Sequence, residues 1–118
     1  MGNEIIFNFF KQLNKRNLLP EKALRRNSIY YRFVSYINNS IACFMSENYD
    51  GTILFINRAY KEMKELKKEN FIKDDNIKYF SLCQKYIKTT SEYLFDNNLV
   101  DEFFIEKVNE MNFDFLLN

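Results

Sequence analysis

The sequence predicts an all-α protein: residues 1–118 as one compact single-domain bundle of five or six helices around an antiparallel helical hairpin. Three observations predict it. Tyr30, Val34, Ile37, Ile41 and Phe44 recur at spacings of four and three, one stripe of a helix with 3.6 residues per turn. After a short polar break, residues 46–51, a second stripe of the same period follows: Ile53, Ile56, Tyr60, Met63 and Lys67. Two such helices joined by so short a break pack stripe against stripe. Finally, the chain holds only two Gly and one Pro among 118 residues. That is too few flexible positions for the many tight turns of an all-β domain.

The elements are justified in chain order. A first helix over residues 3–15 gathers Ile6, Phe9, Phe10 and Leu13 on one face, with Lys15 and Arg16 at the negative end of its dipole and Asn17 closing it. Pro20 sits well at a first helical position, so residues 20–26 form a short second helix. Ser28 caps the central helix, in which Asn38, Asn39 and Ser40 fall away from the stripe. The partner helix spans residues 52–69 with Asp50 as its cap. Thr52, Ile53, Leu54, Phe55 and Ile56 are also good strand residues. The alternative fold is therefore α+β, with a small β-hairpin near residues 41–56. A further helix begins at Asp74 or Asp75, carries Tyr79, Cys83, Tyr86, Thr90 and Leu94 inward, and stops at Asn97 and Asn98. The last helix, residues 99–111, turns Val100, Phe103, Phe104, Val108 and Met111 inward, and the apolar residues 113–117 are read as a lid over the core, with an exposed docking segment as the alternative.

Composition narrows the classes of function. With 47% hydrophobic residues, 13 Phe and 8 Tyr, the chain can bury a real core and is not a disordered segment. No run reaches the roughly 20 apolar residues of a membrane span. Glu4 stands where a secretory signal carries positive charge, and Ile6 where a myristoylation signal wants Ser or Thr, so the expected location is cytoplasmic. Cys43 and Cys83 are read as buried free thiols. Abundant Asn, Lys, Ile, Phe and Tyr beside scarce Ala suggest AT-rich coding, as in many phages, mobile elements, large DNA viruses, parasites and low-GC bacteria; for a viral protein the location would be the host cytoplasm.

Signals for chemistry are missing. The chain has no His, which removes the commonest general base and nitrogen metal ligand. Two isolated Cys do not make a zinc site, and Gly2 and Gly51 cannot build a phosphate-cradling loop. The acidic pairs Asp74-Asp75 and Asp101-Glu102 point about 100° apart on a helix, which suits dipole partners better than an acid/base couple. The expectation is a non-enzymatic protein with no cofactor and no metal.

Charge is distributed unevenly. The formal net charge is +1, yet residues 1–40 hold seven Lys and Arg against Glu4 and Glu21, and the acidic excess lies beyond residue 70. Another protein is the expected partner. If that partner is acidic, Lys15, Arg16, Lys22, Arg25, Arg26 and Arg32 bind it; if basic, Asp96, Asp101, Glu102, Glu106 and Glu110 do. An alternative for the first helix is a membrane surface, with Ile5, Ile6, Phe7, Phe9 and Phe10 inserted.

Residues 19–39, LPEKALRRNSIYYRFVSYINN, resemble the helix-turn-helix signature. In that resemblance Ala23 is the small residue at the helix crossing, Asn27 the turn residue, and Phe33 and Ile37 the buried anchors. It implies a DNA-binding regulator, with Ser28, Tyr30, Tyr31, Arg32 and Ser35 at the major groove and Arg25 and Arg26 on phosphate. It also implies a homodimer reading two half-sites. A fainter resemblance, over residues 48–59 (NYDGTILFINRA), is to the opening strands of PAS sensor domains. The reading favoured over both is a small protein-interaction module: an inhibitor, immunity factor or regulatory accessory protein of a phage, virus or mobile element.

Overall fold

The computed structural model describes residues 28–74 and 76–101, together with the single positions Glu4, Asn8, Lys11, Phe103 and Glu106. Among them the chain is helical and contains no strand. Three helices are seen whole: α1, Ser28–Met45; α2, Tyr49–Lys68; and α3, Ile77–Asp96. Glu4, Asn8 and Lys11 are also helical and exposed, where the first helix was expected to show its polar side. The short helix expected over residues 20–26, most of the last helix and the apolar lid at 113–117 lie outside the described residues.

All three helices end in the same way. Glu47, Asn70 and Asn98 have φ of 62°, 59° and 53°, the left-handed conformation. After α1, the Glu47 amide donates to the Phe44 carbonyl at 3.1 Å and the Asn48 amide to Cys43 at 2.8 Å. The same pair of bonds recurs as Asn70 to Lys67 with Phe71 to Leu66, and as Asn98 to Phe95 with Leu99 to Leu94. This is the Schellman closure, which satisfies the last carbonyls of a helix. Two of these ends use Asn, the non-glycine residue best suited to the left-handed region, and one uses Glu. Phe71 and Leu99, the residues that follow, pack on the core.

The first closure corrects the alternative fold. Residues 41–45 finish α1 and residues 49–56 begin α2, so no hairpin forms there. The turn occupies only residues 46–48, and Asn48, not Asp50, caps α2: its side-chain oxygen accepts from the Gly51 amide at 3.1 Å. The helix therefore starts three residues earlier than expected. Where the resemblance to PAS domains required strands, the backbone is helical. At Gly51 a β-carbon would stand 2.7 Å from Asn48 Nδ2 and 3.0 Å from Cys43 Sγ, so a larger residue there would have to displace the capping side chain of Asn48.

The three helices run up, down and up. α1 and α2 are antiparallel, since Phe44 meets Tyr49 at one end, Tyr36 stacks on Phe55 at 6.2 Å, and Arg32 reaches Glu62 at the other. α1 and α3 are parallel: Tyr30 and Phe33 meet Tyr79 and Phe80 near both starts, and Phe44 meets Tyr93 near both ends. Between those aromatic layers, Ser40 Oγ lies 2.9 Å from Tyr86 Oη. Ser40 donates its one hydroxyl proton to the Ile37 carbonyl at 2.7 Å, so Tyr86 is the donor across the helices.

Because α1 packs on two neighbours, its buried arc is wider than one stripe. Phe33 and Ser40 are buried with Tyr30, Ile37, Ile41 and Phe44, whereas Val34 is only partly covered. This corrects the outward placement of Ser40. In α2, Leu66 takes the core position expected for Lys67, and Thr52 and Ala59 are buried as well. Every expected core residue of α3 is buried. That helix starts at Ile77, after Asn76, whose amide ties the preceding loop by accepting from Lys73 N and donating to Phe71 O. Leu99, Val100 and Asp101 are not helical, and Asp101 Oδ1 accepts from the Phe103 amide. Phe103, expected inward, is 59% exposed.

Candidate functional site

Polar chemistry inside the core is closed to solvent. Cys83 is fully buried beside Tyr79, and burial raises its thiol well above the ordinary value, with a hydrogen bond from Tyr79 pulling the other way. A thiol held protonated in this way is a poor nucleophile. Burial likewise raises the phenols of Tyr30, Tyr79 and Tyr86. Both cysteines are free, with Cys43 only partly covered. Among the described residues, no group of three His, Cys, Asp or Glu side chains could hold a metal ion. None of the described helices is long and apolar enough to cross a membrane.

The surface offers two contrasting faces. Along the outer side of α1 lie Tyr31, Ser35, Asn38, Ala42 and Met45, spaced four, three, four and three. Tyr31 is 61% exposed and Met45 50%, large apolar groups at the two ends of a strip whose middle is small or amide. Of the 18 residues of α1, only Arg32 is charged. Its guanidinium sits 3.4 Å from the Glu62 carboxylate of α2. The outer side of α2 is the opposite case, presenting Arg58, Lys61, Lys64 and Lys68, all exposed, with Glu65 among them. Arg58 lies over the Phe55 ring at 5.7 Å and Lys64 over Tyr60 at 5.5 Å. These rings hold the two cations near the helix surface.

The residues expected to bind a partner are only partly placed. Lys15, Arg16, Lys22, Arg25 and Arg26 lie outside the described residues, as do Glu102 and Glu110. Arg32 is exposed but already engaged with Glu62. Asp96, Asp101 and Glu106 are exposed. Of the groove set, Ser28, Tyr31 and Ser35 do share the outer face of α1. Tyr30 does not: it is fully buried, its ring 5.1 Å from Phe71 and 5.9 Å from Phe80. The buried anchors Phe33 and Ile37 are where the helix-turn-helix resemblance puts them.

Sequence reasoning missed both Met45 and the cationic face of α2. A charge sum hides the second, because residues 41–70 hold five Lys and Arg against five Asp and Glu, with Glu62, Glu65 and Glu69 interleaved among the cations. Projecting residues 54–68 onto a helix opposite Ile53, Ile56 and Met63 would have found it. Comparison with protein-family models, with curated proteins and with solved structures gives no match to this chain.

Proposed function

We propose that the chain is a small protein-interaction module, without chemistry of its own, that binds protein through the outer face of α1. The observation that carries this reading is the strip from Tyr31 to Met45: uncharged, exposed at Tyr31, Asn38, Ala42 and Met45 with Ser35 half-buried, and ended by a tyrosine and a methionine. Charge is depleted, and Tyr and Met are enriched, at the centres of protein interfaces. A soluble helix with nothing to bind ordinarily turns charged residues outward, as α2 does. Inhibitor, immunity and regulatory accessory roles all belong to this reading, as does a bundle completed to five or six helices by the segments before α1 and after α3.

The test is site-specific photo-cross-linking of the full chain in native host extract. A photoreactive residue replacing Asn38 is expected to give a discrete protein adduct, and the same residue replacing Lys61 none. Adducts from Lys61 alone, or from neither position, would refute the reading.

A second reading, a DNA-binding regulator, draws on the four cations of α2. It expects micromolar duplex binding that weakens steeply with salt and is lost in Lys61→Glu with Lys64→Glu. The helix that the helix-turn-helix resemblance would place in the groove carries Arg32 as its one cation, and that residue is paired.

A further inference from the structure

Resting on the protein-binding reading, we infer that the partner covering α1 is a second copy of this chain, its α1 laid antiparallel across the first about a two-fold axis at Asn38. The strip is self-complementary about that residue. Tyr31 and Met45 are seven positions to either side of Asn38, so an antiparallel copy sets each Tyr31 ring against the Met45 thioether of the other. Ser35 then comes beside Ala42 of the second copy, and two small residues let the helices approach closely. At the axis the Asn38 amides meet each other and can exchange hydrogen bonds, a pairing that fixes register.

Charge selects the same orientation. Near the start of α1 stand Arg32, paired with Glu62, and the exposed Lys64 and Lys68 of antiparallel α2, whereas exposed Glu47 and Asp50 follow the end of α1. Antiparallel packing brings the basic end of one copy to the acidic end of the other and opposes the two helix dipoles. Parallel packing would stack like on like. A two-fold pairing of one surface with itself is also the commonest form of self-association. The strip from Tyr31 to Met45 is about 21 Å long and about 10 Å wide, on the order of 200 Å² per copy. That is below the roughly 800 Å² per partner of a standard interface, so the dimer dissociates on dilution.

Sedimentation equilibrium of the full chain over a range of concentrations tests this. The expected mass rises from the monomer's 14.4 kDa toward twice that value. Asn38→Lys, at an exposed position, sets two like charges together at the axis. It is expected to weaken the dimer more than about tenfold while leaving helical circular dichroism unchanged. With oxidised glutathione, Asn38→Cys is expected to give a disulfide-linked dimer and Lys61→Cys none. A monomer at every concentration, or a dimer that survives Asn38→Lys and cross-links through Lys61→Cys, overturns the inference. A monomer whose position 38 still captures a different protein in extract also overturns it, and leaves the protein-binding reading standing.

Discussion

Glu47→Gly should stabilise the protein, although it deletes a side chain and adds a glycine. Glu47 holds φ at 62° as the closing residue of α1. A left-handed conformation costs an ordinary L-residue about 1–2 kcal/mol, and glycine almost nothing. Against this, glycine gives the unfolded chain extra freedom worth about 0.4–1 kcal/mol. The difference is a gain of about 0.5–1 kcal/mol, or roughly 2–4 °C in Tm for a domain of this size. The carboxylate itself contributes little, because it stands between the negative end of α1 and the positive end of α2. Glu47→Gln is therefore expected to be neutral. Asn70→Gly and Asn98→Gly are the internal comparison: asparagine tolerates this conformation, so each should change stability by less than about 0.5 kcal/mol. Urea unfolding followed by circular dichroism, at protein concentrations low enough to hold the monomer, reads all four. Destabilisation by Glu47→Gly, or equal gains at the three sites, would refute the idea that Glu47 stores the strain of the α1–α2 turn.

Phe33→Ala should cost about 3–5 kcal/mol, because Phe33 is fully buried and its ring lies 5.3 Å from Phe80 and 6.2 Å from Tyr79 of α3; chemical denaturation measures it, and Tyr31→Ala on the exposed face should stay within about 0.5 kcal/mol. Arg32→Ala should also change stability by less than about 1 kcal/mol, since its side chain is 48% exposed and the pair with Glu62 is open to water. Stability should fall as pH rises above about 9: Cys83, Tyr30, Tyr79 and Tyr86 have folded-state pKa values raised above their ordinary 9.0 and 10.0, so the unfolded chain releases these protons first. Each group that ionises only when unfolded removes up to about 1.4 kcal/mol per pH unit. Urea midpoints at neutral and alkaline pH, with tyrosinate absorbance as a second probe, should shift together; a midpoint unchanged to pH 11 would contradict the burial of these groups.

The three helices were legible because their core residues recur at helical spacing. The α3 set, Tyr79, Cys83, Tyr86, Thr90 and Leu94, is buried throughout. What the period could not give was the width of the buried arc. A stripe is one line, but α1 touches both α2 and α3, and Phe33 and Ser40 are covered by the second contact. Ser40 reads as a surface residue until its bonds to Ile37 and Tyr86 are known. The cap of α2 was misplaced for a similar reason. Asp50 and Asn48 are both good capping residues, and the choice falls to Asn48 because a left-handed Glu47 shortens the turn, which no residue preference announces. The scarcity of charge in α1 was visible from the start. Which of its uncharged residues face water was not, since that depends on the sides that α2 and α3 occupy.

The most direct measurement is a pair of amide NMR spectra of the full chain, one dilute and one concentrated. The account predicts that chemical shifts move along the outer face of α1, at Tyr31, Ser35, Asn38, Ala42 and Met45, and stay fixed on the cationic face of α2 from Arg58 to Lys68. Shifts confined to the α2 face would contradict it, and so would spectra that superimpose at every concentration.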